Sequence, residues 1–176
     1  MALDRDRAAV VVVDVQEGFR PVIAGFDEMV GSIETLLRGV RVMGIPAIVT
    51  EQYPRGLGST VAEISALLTD VTPLEKTVFA ATDAEGFDLN GRDQVLICGI
   101  ETHICVYQTA AALLAQGLEV QVVEDAASSR TAANHEVGIG RIAALGGART
   151  SVEMALFELL GKAGTPEFKA VQQLVK

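Results

Sequence analysis

The chain alternates short apolar runs with longer segments in which apolar residues recur every three or four positions. The first run, Ala8 to Val13, is almost wholly β-branched, which is typical of a parallel strand covered on both faces. Similar runs bounded by turn residues predict further strands. These are Pro46 to Thr50, a short extended segment at Leu74 to Phe79, Asp93 to Gly99, Glu119 to Glu124 and Ala148 to Thr150.

Helical periodicity is clearest from Asp27 to Met43, where the apolar positions form one stripe and Gly44 ends the pattern. Capping residues and glycines bound the other predicted helices. These are Thr60 to Leu68 with Glu63 completing a capping box, Val106 to Leu114, Thr131 to Leu145, a helix capped by Thr150 and Glu153 that runs to Leu160, and a terminal helix that starts at Pro166; Asp83 to Asn90 is predicted as a helical turn and Asp125 to Arg130 as a turn.

Strands that alternate with helices of this length require right-handed crossovers, and they therefore predict a parallel sheet. The fold class is α/β, a doubly wound three-layer αβα arrangement. The 176 residues suit one domain spanning 1–176, with no linker-like stretch. Ligands of such sheets bind beyond the carboxyl ends of the strands. The polar residues expected there are Asp14, Glu51, Gln52, Lys76, Glu101, Cys105 and Asp125.

The stretch from Gly99 to Gly117 is predicted as strand end, sharp turn, cysteine and helix. Cys105 then lies in the first helical turn, where unpaired N–H groups and the positive end of the helix dipole favour the nucleophilic thiolate. A buried structural cysteine is the alternative interpretation. That alternative fits Cys98, which lies inside the apolar strand, so Cys105 is predicted to be the only reactive thiol.

A cysteine nucleophile needs a base that takes its proton and passes it to a leaving group. Asp14 is a candidate for this base, and Lys76 is a cation that would hold the carboxylate and stabilise charge on sulfur or substrate oxygen. Alternatively, Asp14 only caps the next turn and Lys76 is solvated. His103 is a second candidate base, although the turn should point its side chain away from Cys105. His135 is assigned to the surface or to a subunit contact.

The net charge of −9 and the absence of a basic cluster argue against nucleic acid and anionic membranes as partners. The longest apolar run is too short to span a bilayer, and the first seven residues are polar and charged rather than leader-like. Two cysteines without a disulfide framework suit a reducing compartment, so a cytoplasmic location is predicted. Apolar helix surfaces favour a homo-oligomer.

Five pieces of the chain carry a resemblance to a known family. They are VVVDVQ with Asp14 and Gln16, GIPAIVTEQYPRGLG, EKTVFAA with Lys76, CGIETHICVYQTA with Cys105, and EDAASSR. In this order they resemble the isochorismatase-like cysteine hydrolases, a superfamily of nicotinamidases, carbamoyl-group amidases and isochorismatases, and most closely its isochorismatase-domain-containing subgroup. The resemblance implies an Asp14, Lys76, Cys105 triad on a six-stranded parallel sheet and an acyl-thioenzyme that water hydrolyses.

Two departures from the family's patterns narrow the expectation. Nicotinamidases carry a metal-binding aspartate and two histidines after the second strand, whereas this chain has no histidine before His103. No metal and no cofactor are therefore expected, and nicotinamide becomes a less favoured substrate. Isochorismatases of the siderophore type lack the cysteine that matches Cys105, because vinyl-ether hydrolysis needs no acyl-enzyme.

The resemblance also implies an oxyanion hole at the turn before Cys105. Its donors would be the N–H groups of Glu101 and Cys105, with a cis peptide bond between Ile100 and Glu101 presenting the first. Gln16, Phe19, Gln52, Tyr53 and Ile100 are predicted to contact the substrate.

The resulting hypothesis is a metal-independent cysteine hydrolase for a small amide or carbamoyl substrate. The alternatives are an idle α/β module for binding or assembly, and a vinyl-ether hydrolase. A thiol redox protein would need Cys98 as a resolving cysteine, which its place in the core disfavours.

Overall fold

The β-branched run at Ala8–Val13 forms a strand whose residues are all buried, next to the middle of a six-stranded sheet. The computed structural model describes residues 2–176. The strands are β1 (Ala8–Val13), β2 (Ala47–Gln52), β3 (Leu74–Lys76), β4 (Gln94–Ile100), β5 (Glu119–Ser128) and β6 (Ala148–Thr150). Their order is β3-β2-β1-β4-β5-β6, and every pair is parallel, which confirms the predicted doubly wound α/β class.

Helices cover both faces of the sheet. They are α1 (Phe26–Val42), α2 (Pro54–Leu57), α3 (Ala62–Ser65), α4 (Tyr107–Ala115), α5 (Ala132–Ala144), α6 (Val152–Leu160) and α7 (Pro166–Leu174). Side chains of β1 alternate between two cores, with Val10 and Val12 facing α1, α6 and α7, and Val11 and Val13 facing α4 and α5. Within residues 2–176, no helix has the length and apolarity that crossing a bilayer requires.

The strand order reverses between β1 and β4, which lie side by side. Asp14 follows β1, and the turn with Cys105 follows β4, so the topology brings these two segments to one point of the sheet edge. Gly99 permits this approach. Its φ is +111°, and a Cβ built there would lie 2.1 Å from the carbonyl oxygen of Val13.

Two predicted helix caps are wrong because other partners take the side chains. The N–H and hydroxyl of Thr60 donate to the buried carboxylate of Glu51 at 2.6 and 2.7 Å, and α3 begins after Val61 without a side-chain cap. Ser151 rather than Thr150 caps α6, accepting a bond from the Met154 N–H, since Thr150 still belongs to β6.

The predicted turn at Asp125 to Arg130 is also wrong over most of its length. Strand β5 continues to Ser128, because Ala127 and Ser128 pair with Gly99 and Ile100 after a shift in register. Conversely, β3 ends at Lys76, well before the predicted end at Phe79, and the helical turn predicted at Asp83 to Asn90 is reduced to a 3-10 turn at Ala81–Asp83.

Candidate active site

Asp14 is held in a conformation that few side chains adopt. Its φ is 55°, in the left-handed region where aspartate is tolerated better than most residues. The side chain is fully buried, and both carboxylate oxygens are bonded: Oδ1 accepts from Thr50 Oγ1 at 2.7 Å and Oδ2 from Lys76 Nζ at 2.7 Å. These bonds fix the carboxylate at the end of β1.

Lys76 is the buried cation that faces this carboxylate, and both side chains of the pair have no exposed surface. The ammonium also donates to Gln52 Oε1 at 2.7 Å and to the carbonyls of Val78 and Phe79 at 3.3 and 3.2 Å. The chain after β3 therefore curls around Nζ. With four acceptors for three protons, the charge of Lys76 is matched inside the protein.

Cys105 lies in a π-helical turn, Thr102–Val106, that leads into α4. Burial and, next in size, the charge of Asp14 together raise the pKa of its thiol to about 12, although the charge of Lys76 lowers it. The expectation of a stable thiolate is wrong, because desolvation and the Asp14 charge outweigh the lysine and the helix end. The resting form is a thiol beside a carboxylate.

The two cysteines occupy opposite faces of the sheet, and both are free thiols. Cys98 is fully buried on the α1 side, and burial also raises its pKa to about 12, so the ionised fraction does not separate the two residues. Solvent access separates the two cysteines, because Cys105 lines a cavity. We therefore expect brief iodoacetamide treatment of the native protein to modify Cys105 first, as read by peptide mass spectrometry. Preferential labelling of Cys98 would contradict the assignment.

That cavity has a volume of about 450 Å³ and opens at the carboxyl edge of the sheet. Its polar lining residues are Gln52, Glu101, Cys105 and Arg130. Apolar side chains form most of the remaining wall: Phe19, Val22, Leu57, Phe79 and Ile104. Of the residues predicted to contact substrate, Phe19 and Gln52 line this space. Val22, Phe79 and Arg130 were given no role from the sequence, although EKTVFAA and EDAASSR contain two of them.

Three other predicted substrate contacts lie elsewhere. Gln16 is fully buried. Its Nε2 donates hydrogen bonds to the carbonyls of Gln52 and Gly58, and its Oε1 accepts one from the Gln52 N–H, so this side chain holds two loops together. Ile100 is fully buried in the core on the α1 side. Tyr53 is exposed and lines a neighbouring cavity beside Arg55 and Glu75. A sequence cannot indicate which side of a loop its side chains take.

The turn before Cys105 is braced from several sides. The predicted cis peptide bond between Ile100 and Glu101 is present. Thr109 Oγ1 donates to the Cys105 carbonyl at 2.7 Å, and helix α5 lies so close that a Cβ on Gly138 would come within 2.8 Å of the His103 nitrogen. The Glu101 carboxylate accepts from the Arg130 N–H and Nε at 2.9 and 3.0 Å, which joins the turn to the end of β5.

Both histidines support this region from outside the cavity. His103 Nδ1 bonds Ser129 Oγ at 3.0 Å, and within residues 2–176 it has no hydrogen bond to Cys105, which disfavours it as the base. His135 Nδ1 bonds Thr102 Oγ1 at 2.9 Å, so this half-buried residue contacts the turn rather than only solvent.

Among the described residues, those best placed to hold a metal are Glu124, His135 and Glu136, whose ligand atoms lie within 4.8 Å of one another. No local pattern predicts this set, because it combines residues of strand β5 and helix α5. Arg149 already makes a two-pronged ion pair with Glu124 at 2.9 and 2.6 Å, so a guanidinium supplies the positive charge there. None of the three lines the cavity with Cys105.

The chain is similar to known proteins in both sequence and structure. The isochorismatase domain profile matches residues 8–154. Isochorismatase domain-containing protein 2A of Mus musculus is 40% identical over 166 residues, which cover 93% of this chain and 80% of the mouse protein. A solved structure described as MAR1 ribonuclease from Caenorhabditis elegans is 34% identical, with a TM-score of 0.93 over 99% of this chain and 92% of that one. The YcaC gene product of Escherichia coli, described as an octameric hydrolase of unknown specificity, is 25% identical, with a TM-score of 0.87 over 92% and 83% of the two chains.

Proposed function

Because the chain belongs to the isochorismatase family, we propose that it is a cysteine hydrolase in which Asp14, Lys76 and Cys105 act together on a small amide or carbamoyl compound. One observation carries the proposal. The fully buried Asp14–Lys76 ion pair lies at the end of β1, and Cys105 follows the neighbouring strand β4. The thiol of Cys105 lines the cavity, and both charges of the pair lie close enough to shift its pKa.

The proposed reaction begins with a neutral thiol. As Sγ attacks the carbonyl carbon, its proton passes to Asp14, whose carboxylate Lys76 holds in place. The charge on the former carbonyl oxygen is stabilised by the N–H groups of Glu101 and Cys105. Asp14 then gives its proton to the departing nitrogen, and the C–N bond breaks. Water attacks the remaining acyl-thioenzyme with Asp14 again as base, and the acid and the free thiol are released.

This mechanism places every required charge on the chain itself. Lys76 supplies a fixed cation, and backbone N–H groups take the role that a Lewis acid has in metal hydrolases. We therefore propose a metal-independent reaction without a cofactor. Retention of Asp14, Lys76 and Cys105 together disfavours an idle binding module, and the presence of the cysteine disfavours vinyl-ether hydrolysis, which needs no acyl-enzyme.

The cavity favours a small molecule over RNA. The relative from Caenorhabditis elegans is described as a ribonuclease, but this chain has a net charge of −9, which would repel a phosphate backbone. A volume of about 450 Å³ suits a compact ligand. We further propose one domain spanning the chain, a cytoplasmic location in keeping with two free thiols, and a homo-oligomer like the octameric relative.

A screen of small amides, carbamoyl compounds and hydroxamates for release of ammonia or acid tests the proposal. A matched pair of variants serves as the control: Cys105→Ala should abolish the release, whereas Cys98→Ala should keep most of it. Dialysis against a chelator should leave the rate unchanged, and a short RNA should remain intact. Activity that survives Cys105→Ala, or that disappears on dialysis and returns with zinc, would contradict the mechanism.

A further inference from the structure

Arg130 is the one cation among the described residues that line the cavity with Cys105. Its backbone N–H and its Nε both donate to the same oxygen of Glu101, at 2.9 and 3.0 Å. The Glu101 side chain is 6% exposed, whereas that of Arg130 is 55% exposed. The base of the guanidinium is therefore anchored to a buried carboxylate, and its far end reaches the open side.

The terminal nitrogens of this guanidinium are available to a ligand. Within residues 2–176, the hydrogen bonds of the Arg130 side chain go to Glu101 through Nε alone, so Nη1 and Nη2 have no protein acceptor. Lys76 differs, because Asp14, Gln52 and two carbonyls use its ammonium. An anchored guanidinium whose Nη1 and Nη2 are both free presents one edge that can bind a carboxylate through two parallel bonds.

The rest of the lining restricts what else the ligand carries. Phe19, Val22, Leu57, Phe79 and Ile104 offer apolar contacts. Glu101 stands beside the guanidinium and the whole chain is acidic, so a monoanion is favoured over a phosphate dianion. A structural brace for the turn would need only the Nε contact, and it would not require Arg130 to line the cavity with two unbonded terminal nitrogens.

On the basis of the hydrolase site proposed above, we propose that Arg130 binds a carboxylate of the substrate. The substrate is then a small organic monoanion that carries an amide or carbamoyl group and a short apolar segment. Glu101 acts twice in this arrangement: its N–H faces the reacting oxygen, and its side chain orients Arg130.

The test uses matched alkylating reagents that differ only in charge, namely iodoacetate with iodoacetamide, and 3-bromopropionate with 3-bromopropionamide. For each pair, the ratio of the Cys105 alkylation rates, anionic over neutral, is measured by mass spectrometry. Arg130→Gln should lower this ratio about tenfold or more for at least one pair, because charged hydrogen bonds to the carboxylate are lost. Arg55→Gln, the same substitution at an exposed arginine of the neighbouring cavity, should leave both ratios unchanged.

If Arg130→Gln slows both reagents of each pair equally, the residue only supports the turn and the proposal is overturned. A second measurement does not depend on the thiol. In the Cys105→Ala protein, calorimetry should detect binding of butyrate and little binding of butyramide, and adding Arg130→Gln should remove the preference. The effect of Cys105→Ala on hydrolysis tests the proposed function. If the Cys105→Ala protein binds butyrate no better than butyramide, the carboxylate site alone is overturned.

Discussion

Replacing Asp14 with asparagine should lower turnover by about 10²–10⁴-fold, and it should at the same time make the Cys105 thiol more acidic. The first effect follows because asparagine keeps the size of the side chain but cannot take the thiol proton. The second follows from charge. Asp14 is one of the groups that raise the pKa of Cys105, and Lys76 is one that lowers it. Removing the carboxylate leaves the ammonium to stabilise the thiolate.

A more acidic thiol would by itself favour the attack on substrate, whereas the loss of the base slows turnover. The variant therefore separates the role of Asp14 as a base from the effect of its charge. The thiolate fraction is followed by its ultraviolet absorbance during a pH titration, in a Cys98→Ala background that leaves Cys105 as the only cysteine. The ionisation should move to lower pH than in the parent protein. Asp6→Asn, at an exposed aspartate near the amino terminus, controls for a general change of charge. Full turnover in Asp14→Asn would show that Asp14 is not the base. A raised pKa of Cys105 would show that the charge of Asp14 does not act on this thiol.

Replacing Lys76 with methionine should destabilise the protein by about 3–5 kcal/mol, because it leaves a buried carboxylate without its cation. The pair is separated by 2.7 Å and has no exposed side-chain surface, so water cannot compensate for the loss. Removing both charges in Asp14→Asn/Lys76→Met should recover much of this loss, since no buried charge then remains unpaired. Urea denaturation of the single and double variants at one protein concentration measures the coupling between the two residues.

A matched comparison comes from an ion pair at the surface. Arg149 and Glu124 approach to 2.6 Å, but their side chains are 51% and 31% exposed. Arg149→Met should therefore cost far less stability than Lys76→Met. Similar losses in Lys76→Met and Arg149→Met would mean that the Asp14–Lys76 pair is solvated, and they would remove the electrostatic basis of the proposed mechanism.

The strands were the part of the fold most readily predicted. Ala8–Val13 and Gln94–Ile100 are continuous apolar runs, and the burial of both faces of a parallel strand requires such runs wherever the strand lies. Segment ends were predicted less well. Thr150 and Ser151 are both good caps, and only the pairing of β6 decides between them. Strand β5 extends past Glu124 because β4 offers partners there, which no local pattern reveals.

The site shows the same division. Asp14, Lys76 and Cys105 could be proposed from their residue types, from the position of Asp14 and Cys105 after strands, and from motifs that resemble one family. Their ionisation state could not be predicted in this way. Cys105 was expected as a thiolate, because a sequence shows the helix that follows a cysteine but neither the depth of its burial nor the carboxylate that packs against it.

The α/β class, the main strands and the identity of the chemically capable residues can be predicted from the sequence, because they depend on periodicity and side-chain type within short segments. What those residues face follows only from the folded arrangement of the chain. Residues far apart in the chain meet at the reversal between β1 and β4, which puts Gln16 and Ile100 in the interior, Tyr53 beside another cavity, and Arg130 in the wall with Cys105. Those placements depend on long-range packing, and long-range packing sets both the local dielectric and the partners of each charge.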